Sequence, residues 1–419
     1  MKKLVISCTV GWAYRNLIHT KVVEELSNRY KVVLLCNEIT YKPVKEILHN
    51  KTNIQVERIN LKSSFLANKL KSLLSLILIM RIAPNTSKWI YPKLTSYKLV
   101  NKVLPIFEPI IRNLYLFLIS KETIKKNLKH KLGKVDKFIF TSPFGWEDQL
   151  FQMNVNNDCD IYHLYLSWDN IYSKGFSLKA KKYLVWTDFM KSTVALIHKC
   201  PLEDIHTIEV PHLGGVSQKN DIPKKNLLYS CISGKNYPNE IGLVRQIKDW
   251  FVKDLNKYFD KFIIRTHPAG PNFIFDELED HSRNIFVSHP SKAKEESLYF
   301  WNPDETELNT LSDLMASSIT NINVASTMSI DARTHNCEIL NIAFHDDESL
   351  DAQVKSYYLL DHYKNLVQLG IVKVIYRKND LKSAIIDTAI NPDRRSQEKF
   401  DSIFDASKSS FKKLFNAID

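Results

Sequence analysis

No apolar run in this sequence is long enough to cross a bilayer. A membrane-spanning helix needs about 18 or more predominantly apolar residues in succession, whereas the longest candidate, residues 73–80, is far shorter. The opening residues Met1, Lys2 and Lys3 lead into a short apolar stretch without a small-residue cleavage site, which is typical of a first strand and not of a signal peptide. We therefore expect a soluble, cytoplasmic protein.

Paired cysteines and metal-binding spacings are missing as well. The six cysteines stand singly, with no Cys-x-x-Cys pair and no histidine at the spacing of a zinc finger. Reduced and mostly buried thiols are therefore expected. The acidic run at 346–348 has no Asp-x-Asp arrangement and is typical of a solvated loop. The sequence predicts neither a bound metal nor a cofactor.

The motifs of two common ligand classes are also absent. The loop after the first predicted strand, residues 9–16, lacks the Gly-x-Gly-x-x-Gly fingerprint of a dinucleotide site. The sequence contains no helix-turn-helix, zinc finger or RNP-like aromatic motif. These absences disfavour an NAD site and a nucleic-acid partner.

Positive charge is present in excess, but in one part of the chain only. The formal net charge of +12 divides into +18 on residues 1–137 and −6 on residues 138–419. A basic field attracts polyanions, although a lysine-rich solvated surface without any partner is the other interpretation. We expect the basic third to serve an anionic acceptor or the anionic inner face of the cytoplasmic membrane, where the protein would be peripheral.

The hydrophobic pattern predicts an α/β fold. Apolar residues form 44% of the chain, as in globular proteins. Short apolar runs alternate with helical stretches in two successive sets, which is typical of doubly wound parallel sheets. A segment without periodicity at 211–223 separates the sets. We predict a Rossmann-like domain over 1–215, a second over 216–395 and a closing helix over 396–419, with ligands bound in a cleft between the two domains.

One segment departs from this alternation. Residues 62–130 have helical periodicity, with candidate helices over 66–82 and 103–119. Amphipathic helices with basic polar faces can lie on a membrane, and the alternative is that they face the core of an inserted subdomain. We predict a basic helical insertion in the first domain that determines acceptor specificity.

A first candidate site follows a strand of the second domain. The motif Arg-Thr-His-Pro at 265–268 stands at the carboxyl end of the predicted strand 261–265, where α/β proteins bind ligands. Arg265 can clamp a phosphate through two hydrogen bonds, and His267 can donate to a phosphate oxygen. Pro268 fixes the turn that presents the imidazole. The alternative is a strand-end turn with a surface histidine.

Two further stretches of the second domain support phosphate binding. Ser326 and Thr327 stand between a strand and a helix, where backbone N–H groups and the helix dipole favour an anion. Asp331, one turn later, could face a ribose. Ser233 and Lys235 belong to a glycine-containing loop after another strand, and such a loop can approach phosphate. A plain helix cap is the alternative for the Ser-Thr pair.

Carboxylates that follow strands of the first domain are candidates for a general base. Asp169 ends the strand 160–166 and is the preferred candidate. The second candidate is Glu147 or its neighbour Asp148, after the preceding strand, with Glu147 favoured. The alternative for each is N-capping of the following helix.

Taken together, these motifs resemble those of GT-B glycosyltransferases that build bacterial surface polysaccharides. The resemblance rests on Ser-Trp-Asp-Asn at 167–170 with Ser-Lys-Gly at 173–175, Val-Trp at 185–186, Arg-Thr-His-Pro at 265–268 and Asn-Val-Ala-Ser-Thr-Met at 323–328. The His-Pro and Ser-Thr pairs are similar to motifs of enzymes that use CMP-activated sugars, such as sialyl and Kdo transferases. The resemblance implies that His267, Pro268, Ser326 and Thr327 hold the CMP portion of the donor.

The resemblance also implies a reaction. The expected activity is metal-independent, inverting transfer of a sugar from a nucleotide-sugar donor to a glycan or lipid-linked acceptor. CMP-ulosonates are favoured as donors, with UDP-, GDP- and dTDP-sugars as alternatives. Arg265, His267 and the Ser-Thr turn would stabilise the departing nucleotide, and a first-domain carboxylate would deprotonate the acceptor.

Three other functions remain open from the sequence. The same fold supports sugar-nucleotide 2-epimerases and CDP-polyol phosphotransferases, although the acidic and histidine residues expected of those enzymes are not evident. A non-catalytic scaffold in a polysaccharide assembly complex is the alternative of a different class. Loss of transfer on replacing Asp169 or His267 would distinguish an enzyme from a scaffold.

Overall fold

The computed structural model describes residues 1–61, 64–96, 102–121, 132–155, 158–213, 222–234, 236–270, 272–291, 301, 303–404 and 411–419. The chain forms two compact units, which are Met1–Gly214 with Ser410–Asp419, and Gly215–Ser409. Each unit contains one parallel sheet with helices. The predicted α/β fold class is therefore confirmed.

The first unit contains a seven-stranded parallel sheet in the order β3-β2-β1-β4-β5-β6-β7. Its strands are β1 (Lys3–Cys8), β2 (Lys31–Cys36), β3 (Ile54–Arg58), β4 (Lys137–Phe140), β5 (Asp160–Leu164), β6 (Lys182–Val185) and β7 (Ile205–Thr207). The central strands are continuous apolar runs because helices cover both faces of such a sheet. Strands β2 and β3 are added on one side of β1, and strands β4 to β7 are added on the other side. The junction between β1 and β4 is therefore the switch point where ligands bind in open α/β sheets.

Helices connect these strands. They are α1 (Gly11–Tyr14), α2 (Val22–Ser27), α3 (Tyr41–Leu48), α4 (Phe65–Ile82), α5 (Pro84–Ile90), α6 (Pro92–Thr95), α7 (Glu108–Lys121), α8 (Trp146–Asn154), α9 (Asn170–Ser173) and α10 (Asp188–His198). Periodicity over 16–29 predicts one helix there, but a π-helical turn, Arg15–His19, and the positive φ of Lys21 (64°) interrupt it.

The predicted helical insertion is present in the first unit. Helices α4 and α7 correspond to the helices predicted over 66–82 and 103–119. Their inner faces extend the core of the sheet, because Leu74, Tyr115 and Ile119 belong to the same buried cluster as Val5 and Phe138. Burial of these side chains fixes which face of each helix is turned inward.

The second unit contains a six-stranded parallel sheet in the order β10-β9-β8-β11-β12-β13. Its strands are β8 (Asn226–Ser230), β9 (Lys261–Arg265), β10 (Ile285–Ser288), β11 (Ser318–Asn323), β12 (Glu338–Ile342) and β13 (Lys373–Ile375). Its helices include α11 (Glu240–Lys253), α12 (Glu305–Ala316), α13 (Met328–Thr334), α14 (Glu348–Tyr357), α15 (Lys364–Gln368), α16 (Lys378–Ile390) and α17 (Arg394–Ile403).

The end of the chain differs from the prediction of one closing helix. It forms α17 and a separate helix, α18 (Lys412–Ile418), which belongs to the first unit. The carboxylate of Glu209 accepts hydrogen bonds from the backbone N–H groups of Lys413 (2.8 Å) and Leu414 (3.1 Å). A negative charge there satisfies free donors at the start of α18 and complements its dipole, so α18 is fixed in the first unit.

Candidate functional site

A pocket of about 480 Å³ opens at the carboxyl edge of the second sheet. The segment after β8 and the loop after β9 form its walls, and the two strands pair directly. This edge is where ligands bind in open α/β sheets, and the volume is in the range of small-molecule sites. The pocket is lined by Cys231, Ile232, Ser233, Gly234, Tyr237, Pro238, Asn239, Glu240, His267, Ala269, Gly270, Ile274 and Phe275.

His267 is presented to the pocket by a tight turn. The backbone N–H of Gly270 donates to the carbonyl of His267 (3.0 Å), with Pro268 as the second residue of the turn. The N–H of Ala269 donates to Nδ1 of His267 (3.1 Å). Burial lowers the pKa of His267 to about 4. At neutral pH the ring is therefore uncharged with its proton on Nε2, which makes Nε2 a hydrogen-bond donor.

Glu240 lines the same pocket and was not identified from the sequence. It is the first residue of α11 and is only 5% exposed. Its carboxyl accepts hydrogen bonds from the Tyr229 hydroxyl (3.1 Å) and the Ile232 N–H (3.1 Å). Burial nevertheless raises the pKa of Glu240 to about 8. The carboxyl is thus mostly protonated at pH 7 and can donate a hydrogen bond to an anion.

Arg265 does not line the pocket. Its guanidinium donates to the Ser288 hydroxyl (2.9 Å) and forms a buried ion pair with Glu307 (3.3 Å). An arginine held between these groups is not directed into the pocket. The predicted contact of Arg265 with a phosphate of the nucleotide sugar is therefore not part of this pocket. Ser233 does line it, together with His267, whereas Lys235 lies outside the described residues.

Ser326, Thr327 and Asp331 lie at the same edge of the sheet but not in the pocket wall. They follow β11, which pairs with β8. The Ser326 hydroxyl accepts a hydrogen bond from the N–H of Met328 (3.1 Å), whereas Thr327, the N-cap of α13, makes no side-chain cap bond. Asp331 is largely buried. The Ser-Thr pair is therefore not among the residues that line this pocket.

A buried network of polar side chains fixes α13 against the sheet. Oδ1 of Asn323 accepts hydrogen bonds from the Asn341 amide (2.8 Å) and the Ser329 hydroxyl (3.0 Å), and the Tyr363 hydroxyl donates to Asn341 (2.7 Å). A satisfied buried network of this kind makes the local structure rigid. The asparagines that interrupt the apolar pattern of β11 and β12 thus have a structural role.

In the first unit, Asp148 lies at the switch point between β1 and β4. It is 1% exposed, and its Oδ2 accepts hydrogen bonds from the Ser7 hydroxyl (2.9 Å) and the Ser142 N–H (2.8 Å). Within the described part of the chain, its Oδ1 has no hydrogen-bond partner. Burial raises the pKa of Asp148 to about 7. A base that titrates near the working pH is suited to proton abstraction.

The two carboxylates favoured from the sequence have different surroundings. Asp169 precedes α9, and its carboxylate accepts hydrogen bonds from the Ser167 and Ser173 hydroxyls. Glu147 is half-buried on α8. Lys71 of the insertion donates a hydrogen bond to the carbonyl of Phe144 (2.5 Å). Burial lowers the pKa of Lys71, and the nearby carboxylates of Glu147 and Asp148 oppose this shift by favouring the charged ammonium. The insertion therefore contributes a cation beside this acidic loop.

The described ranges contain no group of three or more His, Cys, Asp or Glu side chains arranged to hold a metal ion. Within those ranges the six cysteines are unpaired, and five of them are buried. Metal-independent chemistry stays a prediction.

The protonated state of Glu240 predicts a pH dependence of stability. Because its pKa is higher in the folded protein (about 8) than in the unfolded chain (about 4.5), its contribution to the free energy of unfolding is largest below pH 4.5 and falls as the pH rises to 8. The slope is at most about 1.4 kcal/mol per pH unit. Melting temperatures between pH 5 and 9 should therefore fall less steeply for Glu240→Gln than for the wild type.

The exposed residue Glu398 provides the control for this experiment. Glu398→Gln should reproduce the wild-type profile. If Glu240→Gln also followed the wild-type profile, Glu240 would not be a buried protonated acid.

Comparisons with known proteins identify the fold. No protein-family model and no curated protein sequence matches this chain. A UDP-GlcNAc 2-epimerase from Neisseria meningitidis bound to UDP-GlcNAc is similar over 99% of this chain and 98% of its own (TM-score 0.55, 12% identity). The UDP-GlcNAc 2-epimerase of Methanocaldococcus jannaschii is similar over 96% of this chain and 98% of its own (TM-score 0.52, 11% identity). These likenesses confirm that the chain has the two-domain GT-B fold.

Proposed function

We propose that the protein is a glycosyltransferase of bacterial surface-polysaccharide synthesis. It would transfer a sugar from a nucleotide-sugar donor, bound at the pocket of the second unit, to a glycan or lipid-linked acceptor. The observation that carries this proposal is the convergence of His267 and Glu240, both able to donate a hydrogen bond at pH 7, on a pocket at the carboxyl edge of a parallel sheet.

The pocket offers three features that suit a phosphate group. Nε2–H of His267 and the protonated carboxyl of Glu240 are hydrogen-bond donors that approach from the two loops. The 14-residue helix α11 begins at the pocket wall, and the positive end of a helix dipole favours an anion. Neither side chain brings a negative charge at neutral pH. A departing nucleotide would therefore be stabilised without a metal ion.

The proposed reaction requires a base for the acceptor. The bond between the anomeric carbon and the phosphate oxygen breaks, the acceptor oxygen bonds to that carbon, and the acceptor proton moves to a carboxylate. We propose Asp148 as this base because its pKa is near 7 and its Oδ1, which is buried, accepts no hydrogen bond within the described chain, so an acceptor hydroxyl would have to enter the loop between β4 and α8 to reach it. Asp169 and Glu147 are the alternative bases. Attack opposite the leaving group would invert the anomeric configuration.

Two observations bear on the donor. The His-Pro and Ser-Thr motifs resemble those of enzymes that use CMP-activated sugars, which favours a CMP-ulosonate. The solved structures with the same fold include an epimerase bound to UDP-GlcNAc, which keeps a UDP-sugar as the alternative donor.

A sugar-nucleotide 2-epimerase is the second candidate function. It is favoured by the solved epimerase structures, which match nearly the full length of the chain. The same pocket would hold the nucleotide, but the reaction would need no acceptor. The presence or absence of an acceptor requirement therefore separates the two candidates.

The test is to incubate the protein with CMP-, UDP-, GDP- and dTDP-sugars, with and without a glycolipid extract, and to follow the sugar and the nucleotide by NMR and mass spectrometry. We expect one donor to release its nucleotide and to form a new glycosidic bond only when the extract is present. Conversion of UDP-GlcNAc into its 2-epimer without the extract would instead establish an epimerase. If no nucleotide sugar reacted under either condition, both candidates would fail.

A further inference from the structure

The helical insertion of the first unit exposes a row of large apolar side chains. Ile110, Leu114 and Phe117 lie on α7, and Ile106 and Phe107 lie in the 3-10 turn that precedes it. These five residues, which we call the outer stripe, are between 44% and 71% exposed. Spacings of three and four residues place them on one face of the helix.

Packing prevents the outer stripe from turning inward. Tyr115 and Ile119, on another face of α7, are fully buried in the core of the first unit, and the Tyr115 hydroxyl donates to Gln149. The helix is thus apolar on two faces and buries only one of them. An apolar helix face that stays exposed in a folded protein marks a surface for a partner or a membrane.

Other helices of the insertion also expose large apolar side chains. Phe65 and Leu66 at the start of α4, Trp89 on α5 and Leu94 on α6 are also exposed. Tryptophan and phenylalanine are side chains that enter the boundary between lipid headgroups and acyl chains. Within the described chain, ten of the 21 exposed large apolar residues therefore lie in this insertion.

Positive charge surrounds these apolar side chains. Residues 65–121 contain nine Lys or Arg residues and one acidic residue, Glu108, which pairs with Arg81 and Arg112. Among the described residues of this stretch, the exposed lysines are Lys69, Lys88, Lys93, Lys102 and Lys121. The ammonium of Lys121 lies 5.1 Å from the ring centroid of Phe117, and that of Lys69 lies 5.4 Å from that of Phe65. Cations thus stand directly beside apolar side chains.

We propose that the outer stripe and the surrounding lysines dock the first unit onto a membrane surface rich in anionic lipids. Phosphate headgroups would receive the lysines while the aromatic and aliphatic side chains enter the interface. No helix within the described ranges has the length and apolar character needed to cross a bilayer. This inference goes beyond the proposed function, because docking does not depend on the reaction, but it would bring the enzyme to a lipid-linked acceptor.

Vesicle co-sedimentation tests the proposal. The probes are vesicles of phosphatidylcholine alone and vesicles containing one third phosphatidylglycerol, at low and high salt. We expect the wild type to bind the anionic vesicles at least tenfold more tightly than the neutral ones and to lose that preference in high salt. The double variant Ile110→Ser/Phe117→Ser should reduce binding to anionic vesicles at least tenfold.

Leu359→Ser/Ile390→Ser is the matched control, since both residues are exposed and apolar but belong to the second unit. It should bind vesicles like the wild type. Equal binding by the stripe variant and the wild type, or equal binding to neutral and anionic vesicles, would overturn the proposal. A wild-type dimer that the stripe variant converts to a monomer on size exclusion would also overturn it, since a second copy would then cover the stripe.

Calorimetric titration with nucleotides separates this proposal from the proposed function. The wild type and the stripe variant should bind a nucleotide with equal affinity. Loss of vesicle binding with nucleotide binding intact shows that the docking surface alone was altered, whereas failure of the wild type to bind any nucleotide contradicts only the enzymatic proposal.

Discussion

Replacing Asp148 by asparagine should lower the rate of sugar transfer by about 10²- to 10⁴-fold, the usual contribution of a general base. Asparagine has nearly the same shape and keeps an oxygen that can accept from Ser142, but it cannot take up the acceptor proton. Donor affinity should stay within about twofold, because we assign donor binding to the second unit. Single-turnover transfer and calorimetric donor binding measure the two effects separately.

The pH profile gives an independent signature of the same group. With a pKa of about 7, Asp148 is the active carboxylate only above that pH, so the wild-type rate should rise through pH 7. It should fall again above pH 8, where Glu240 loses the proton that it donates in a hydrogen bond to the nucleotide. Glu147→Gln and Asp169→Asn serve as the comparison variants, since both were favoured from the sequence. If Asp169→Asn abolished transfer while Asp148→Asn kept it, the base would be Asp169.

His267→Ala should lower the rate of transfer by about 10²- to 10³-fold, as removal of one preorganised donor to a developing negative charge does in other enzymes. It should also weaken nucleotide binding. His267→Gln should recover part of both losses because its amide N–H can replace Nε2–H. The control is His281→Ala, on an exposed histidine of the same unit that does not line the pocket, and it should leave both the rate and nucleotide binding unchanged. Full activity of His267→Ala would exclude a role in holding the leaving group.

The bounds of a strand can be predicted from the sequence where nearly the whole strand is buried. The apolar runs at 3–8, 31–36 and 261–265 predict strands with the bounds that β1, β2 and β9 have, because buried parallel strands are short continuous apolar runs. The strand that precedes His267 then placed that residue at the ligand-binding edge, and it does line the pocket. Local pattern and the general geometry of α/β sheets suffice for this inference.

Long-range contacts were not predictable in the same way. The guanidinium of Arg265 pairs with Glu307, 42 positions away, and no local pattern reveals that pairing. Glu240 acquires its raised pKa from burial near Tyr229 and Ile232, which only the folded unit brings about. An acidic residue in the first turn of a helix is already explained by its favourable interaction with the helix dipole. Nothing in the local sequence therefore indicates that Glu240 lines the pocket.

The charge distribution is consistent with separate roles for the two units. The excess of positive charge lies on residues 1–137, whereas the groups proposed to hold the nucleotide, His267 and Glu240, are uncharged at neutral pH. Donor binding in this account depends on directed hydrogen bonds and a helix terminus, and therefore little on ionic strength. Membrane docking depends on exposed lysines and should be weakened by salt.

The proposed function requires that the pocket after β8 and β9 binds a nucleotide. Calorimetric titration of CMP, CDP, UDP, GDP and dTDP into the wild type and into Ala269→Trp tests it most directly, because Ala269 lines the pocket and an indole there would fill much of it. We predict that one nucleotide binds the wild type one-to-one at millimolar concentration or below, and that Ala269→Trp loses this binding while keeping the wild-type melting temperature. Absence of binding by every nucleotide to the wild type, or equal binding to both proteins, would contradict the account.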